Sequence, residues 1–103
     1  MVVVRFKARC EAEKTNAMAE AMRAVAEASR SLPGVVHFNV TRDLNDPNVL
    51  IAIEVFDDRE AMARQEEQPA VAGVMELIQT GALAEPPEWT IYDVAHAESP
   101  SIS

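Results

Sequence analysis

The sequence predicts an α+β fold of the ferredoxin-like type, β-α-β-β-α-β, with a four-stranded antiparallel sheet carrying its helices on one face. Two observations predict it. Val35–Asp43 and Val49–Phe56 are runs of β-branched and aromatic residues joined by the corner Leu44-Asn45-Asp46-Pro47-Asn48, whose Asx side chains and proline favour reversal and resist helix. That hairpin is flanked on each side by one segment of helical period, and alternating segments open and close the chain. A length of 103 residues suffices for one core and not for two. We assign one domain to residues 1–96 and read 97–103 as a loose tail.

The first segment, Val2–Cys10, places Val2, Val4, Phe6, Ala8 and Cys10 on one face and Val3, Arg5, Lys7 and Arg9 on the other, as in a half-buried strand. From about Glu13 to Leu32 the period lengthens. Met18, Met22, Val25, Ser29 and Leu32 form one stripe of an Ala-rich amphipathic helix that Pro33-Gly34 closes. After the hairpin, Asp57 or Asp58 can cap a second helix near Arg59, because a carboxylate there accepts from free N–H groups and opposes the positive helix end. Pro69 is expected to split that helix into Arg59–Gln68 and Ala70–Thr80, with Gly81 as the stop. Pro86-Pro87 then lead into a short final strand, Trp89–Ala95.

Within Val49–Phe56, Val49, Ile51, Ile53 and Val55 point one way, and Leu50, Ala52, Glu54 and Phe56 the other, so both faces are mainly apolar. The helices can cover one face. Nothing in so short a chain is left for the other, to which Val3 also belongs. Burying apolar surface is worth about 25 cal/mol per Å², so we expect a homodimer, sheet against sheet.

Composition narrows the function. A net charge of −8 opposes a nucleic-acid or anionic-membrane partner, both of which need a basic surface. One cysteine, Cys10, excludes an intrachain disulfide. The apolar start Met1–Val4 is cut short by Arg5 and Lys7, no run approaches a membrane span, and a cytoplasmic protein is expected. No His or Asp stands at ligand spacing beside Glu11-Ala12-Glu13 or Glu66-Glu67, so these read as solvated charge rather than metal sites. No glycine-rich phosphate loop is present, so no nucleotide cofactor is expected.

Leu32-Pro33-Gly34, Phe38-x-Val40-x-Arg42-Asp43, Asp46-Pro47-Asn48 and Glu54-x-Phe56-Asp57-Asp58-x-x-Ala61 together resemble the antibiotic biosynthesis monooxygenase family, over nearly the whole of Val2–Ala95. The resemblance implies a dimeric α+β barrel with a pocket between helices and sheet in each subunit. It also implies oxidation of phenols or quinols without metal or flavin, the substrate itself giving electrons to dioxygen. Quinone-forming members use an Asn on strand three, a Trp closing that strand and a Tyr on the next helix. With Phe56 set opposite that Trp, the other two positions fall on Ala52 and Met62, neither of which donates a hydrogen bond. Haem-degrading members need an Asn on strand one and a His on the second helix, and this chain has neither.

Two residues are candidates for proton transfer. His37, in the interior of the second strand, suits a base near neutral pH, against the plainer reading of a strand histidine bonded to a neighbour or to water. Glu54 lies among apolar residues, where burial raises a carboxyl pKa; a salt bridge to Arg5 or Arg42 is the structural alternative. Helix and strand parity, taken with the family geometry, bounds a substrate pocket by Phe56, Met62, Gln65 and Met75; of Trp89 and Tyr92, which have opposite parity on the last strand, only one can face it, and Tyr92 is the favoured polar partner. The expected function is a cofactor-independent monooxygenase of an aromatic or quinol-like compound. The alternative is a binding or structural member of the same superfamily without chemistry.

Overall fold

The computed structural model describes residues 1–101. It comprises β1 (Val2–Arg9), a 3-10 turn (Ala12–Lys14), α1 (Thr15–Ser29), β2 (Val35–Arg42), β3 (Val49–Phe56), α2 (Arg59–Glu66), α3 (Val71–Gln79) and β4 (Glu88–Asp93). The strands form a single sheet in the order β2-β3-β1-β4, every neighbouring pair antiparallel. This is the expected ferredoxin-like α+β arrangement. Residues 97–101 are exposed and carry no secondary structure, whereas 102–103 lie outside the described residues.

Local chemistry explains the joints. The corner between β2 and β3 is tied by Asp43, whose carboxylate accepts from the Asn45 and Asp46 amides at 2.7 and 3.2 Å, and by Asp46, which accepts from the Asn48 amide at 3.0 Å. Asp58 is the cap of α2, accepting from the Ala61 amide at 2.9 Å. After α1 the chain turns at Gly34, whose φ of +83° only glycine adopts freely. A Cβ there would lie 2.6 Å from that of Ala61, so the same glycine lets the turn press against α2.

Pro69 separates α2 from α3, as its missing N–H requires. Gln68 anchors the break. Its side-chain nitrogen donates to the Ser29 hydroxyl at 2.6 Å, and that hydroxyl donates to the Val25 carbonyl at 2.6 Å, all against α1.

Register assigns the faces. Leu50, Ala52, Glu54 and Phe56 of β3 are buried toward the helices, and their neighbours Phe38 on β2 and Val4 on β1 are buried with them. The other face carries Val3, Val55, Ile51 and Ile53, the last 37% exposed. Arg5 and Lys7 share this face with Val3, as the parity of β1 requires, so it is only partly apolar. Val49 is not part of the open surface, being buried beside the hairpin corner.

Candidate functional site

A cavity of about 110 Å³ lies between the sheet and α3. Ala52 makes room for it. In the row that crosses all four strands, Val40, Ala52, Phe6 and Trp89 stand side by side, so a single methyl separates two larger side chains. The roof is α3, which presents Val71, Val74, Met75 and Ile78 at helical spacing. Trp89 (58% exposed) and Met75 (44% exposed) lie at its solvent side. The Trp89 ring stands edge-on to Phe6, centroids 6.3 Å apart.

Three polar side chains other than the Trp89 indole reach this apolar space: Glu54, Gln65 and Glu66. Glu54 sits in the row beside Ala52, between Phe38 on β2 and Val4 on β1, and is 9% exposed. Gln65, on the inner face of α2, is 4% exposed. Among the described residues neither side chain forms a hydrogen bond or ion pair and no sealed side-chain polar atom lacks a partner, so the polar ends of Glu54 and Gln65 open onto the cavity, which no Lys, Arg or His lines. Burial, then the charge of Glu66, push the Glu54 carboxyl up to about 7. A carboxyl that changes charge near neutrality beside an apolar hollow can accept a proton from a ring hydroxyl.

The structure brings Glu54, Gln65 and Met75 to one cavity and separates the other expected site residues from it. Phe56 is fully buried and Met62 nearly so, but both lie in the sealed core with Val2, Val4 and Ala61, beyond the cavity wall. Tyr92 registers with Val3 and therefore occupies the open face, leaving Trp89, three residues earlier and of opposite parity, to reach the cavity. His37 registers with Val55 and is exposed on that same open face. The salt bridge considered for Glu54 is not formed. Arg5 belongs to the opposite face, and Arg42 donates to the Pro47 carbonyl at 2.8 Å.

Glu66, read from the sequence as solvated charge, lies at the rim. The break at Pro69 was the signal for it, because α2 ends next to the cavity just where the chain turns into the roof. Cys10 is buried and its thiol pKa is raised chiefly by that burial, which suits an inert side chain. A second, more polar groove of about 440 Å³ runs between α1 and the edge strand β2. Its Arg30 donates twice to the Phe38 carbonyl, at 3.2 and 3.0 Å, covering an edge-strand acceptor that has no strand partner.

Among the described residues no cluster of three His, Cys, Asp or Glu side chains is placed to hold a metal ion, and no helix is long and apolar enough to cross a membrane. The sequence profile of the antibiotic biosynthesis monooxygenase family matches residues 1–77. The chain belongs to that family. Solved structures agree with the fold. A Nitrosomonas europaea protein assigned as an antibiotic biosynthesis monooxygenase is 26% identical, with a TM-score of 0.84 over 93% of this chain and 100% of its own. A Deinococcus radiodurans protein with the same assignment is 21% identical, with a TM-score of 0.85 over 98% and 99%. A conserved Bacteroides thetaiotaomicron protein of unknown function is 15% identical, with a TM-score of 0.77 over 88% and 94%. No curated protein matches the chain.

Proposed function

We propose that this family member is a cofactor-independent monooxygenase of a small quinol-like arene, with Glu54 as the proton acceptor. The observation that carries the reading is the Glu54 carboxyl, 9% exposed on the wall of an apolar cavity beside Gln65, with no hydrogen bond or ion pair to the protein among the described residues. Its ionised form takes the proton of a ring hydroxyl. The resulting anion gives electrons to dioxygen, one oxygen atom enters a ring C–H bond and the other leaves as water. Hydroquinone and dioxygen, in equal amounts, thus give hydroxybenzoquinone and water in equal amounts. The quinol-to-quinone oxidation supplies two of the four electrons and the C–H hydroxylation the other two, so no external reductant is needed. The chain's part is to exclude water, hold the ring between Phe6, Phe38 and Val74, and move one proton.

We also propose that the working form is a homodimer closed through the open sheet face, where Ile51, Ile53 and Val55 await cover. His37 and Tyr92 belong to that face and have no part in the chemistry.

Oxygen uptake by purified protein with a panel of hydroquinones and anthrones tests the activity. Consumption of one dioxygen per substrate, with one labelled oxygen retained in the product, is expected. It should be abolished by Ala52→Leu, which fills the hollow. Consumption no faster than in buffer for every compound refutes it. A second reading, binding without chemistry, is favoured by the residues themselves: at the positions that the family resemblance implies for Asn, Trp and Tyr the chain has Ala52, Phe56 and Met62, none of which donates a hydrogen bond from its side chain.

A further inference from the structure

Resting on the reading of the cavity as the substrate site, we propose that it is a filter for size and charge. It admits one neutral ring bearing hydroxyl donors, of the hydroquinone or catechol class, and Glu66 at its rim turns away rings that carry a carboxylate. The volume sets the first limit. At about 110 Å³ the cavity is smaller than drug-binding clefts, which run to roughly 300–1,000 Å³. It is comparable to an engineered cavity of about 150 Å³ that holds benzene. The space beneath α3 thus takes one ring, and a fused three-ring phenol would leave its other rings outside, past Trp89 and Met75.

The inventory of polar groups sets the second limit. Glu54 and Glu66, when ionised, only accept hydrogen bonds; Gln65 offers one amide and Trp89 one indole N–H. Among the described residues no cationic side chain lines the space, so an anionic ring entering it would face two carboxylates with no compensating charge. A ring hydroxyl meets the opposite situation. It donates to Glu54, and a second hydroxyl can donate to the side-chain carbonyl of Gln65, so each of these cavity-facing groups gains a partner that the protein itself does not supply. Glu66 is exposed, and its own charge needs no partner. It lines the cavity while exposed to solvent, so its charge faces a bound ligand, and its field already acts on Glu54.

The test uses the single tryptophan, Trp89, whose indole N–H gives one resolved nitrogen-correlated resonance at the cavity. Hydroquinone, 4-hydroxybenzoate, benzylamine and anthrone are titrated without oxygen at about pH 8, above the Glu54 value of about 7. Hydroquinone should bind at least about ten-fold more tightly than 4-hydroxybenzoate. Glu66→Gln should narrow that gap to less than about three-fold, mainly by improving 4-hydroxybenzoate. Ala52→Leu should remove hydroquinone binding. Equal binding of the two in the parent protein, a gap unmoved by Glu66→Gln, or tighter binding of anthrone or benzylamine overturns the filter. The two readings fail separately. Hydroquinone that binds selectively but is not oxidised in air refutes the monooxygenase and leaves the filter standing. Turnover of 2,5-dihydroxybenzoate, a hydroquinone that carries a carboxylate, as fast as hydroquinone refutes the filter and leaves the monooxygenase.

Discussion

Glu54 registers with Phe38 and faces the helices, whereas His37, the residue before Phe38, registers with Val55 and faces away. The sheet thus stands between the two side chains best suited to proton transfer near neutral pH. Only Glu54 meets the cavity. Glu54→Gln should lower kcat for hydroquinone by about 100-fold or more, since a positioned base contributes about 10²–10⁴-fold. His37→Ala should change it by less than about two-fold. Equal losses in the two variants, measured by oxygen uptake, would remove Glu54 from its special role.

The same carboxyl should make stability pH-dependent. Its ordinary value is 4.5, and burial followed by Glu66 raises it to about 7 in the folded protein. Between those values the folded state holds a proton that the unfolded state has released, so stability is greatest at the acid end and falls as pH rises through about 7. At about 1.4 kcal/mol per unit the loss is on the order of 3 kcal/mol. Glu54→Gln should remove that component and be the more stable protein at about pH 8. Denaturant midpoints at about pH 5 and pH 8 check it; parallel profiles for the two proteins would contradict it.

The frame was legible because it rests on strong local signals. The Asx corner, the period changes, Asp58 and the Pro69 break each act within a few residues, and the strand and helix bounds fall within a few residues of those expected. The cavity was harder to read because it is a product of register. That Ala52 leaves a hollow depends on Val40 and Phe6 standing beside it, and these come from strands distant in sequence. Parity along β4 does separate Trp89 from Tyr92, but only the pairing of Val3 with Tyr92 shows which of them faces the helices. Phe56 and Met62 have the correct side and the wrong depth, a distinction that periodicity does not carry.

Gly34 should be intolerant of substitution. In Gly34→Ala the positive φ alone costs on the order of 1–3 kcal/mol, and the new methyl would press on Ala61 at 2.6 Å. Thermal unfolding should show a clear drop in Tm. An unchanged Tm would mean that the turn relaxes and that its contact with α2 contributes nothing.

Ile53, 37% exposed at the centre of β3, tests the proposed assembly. Sedimentation should find a dimer at micromolar concentration for the parent protein and a monomer for Ile53→Lys. A lysine there would stand opposite Arg5 and bury a charge at a cost of several kcal/mol. A monomeric parent, or a dimer unaffected by the change, would rule out closure through this face.

The most direct measurement is the pH profile of kcat/KM for oxygen-dependent consumption of hydroquinone, taken on the parent protein, Glu66→Gln and Glu54→Gln. Activity should rise with pH through one ionisation near 7 in the parent, because the base works only when ionised. Loss of the Glu66 charge should move that ionisation to lower pH, and Glu54→Gln should abolish the step together with most of the rate. A step that persists unchanged in Glu54→Gln would contradict the account.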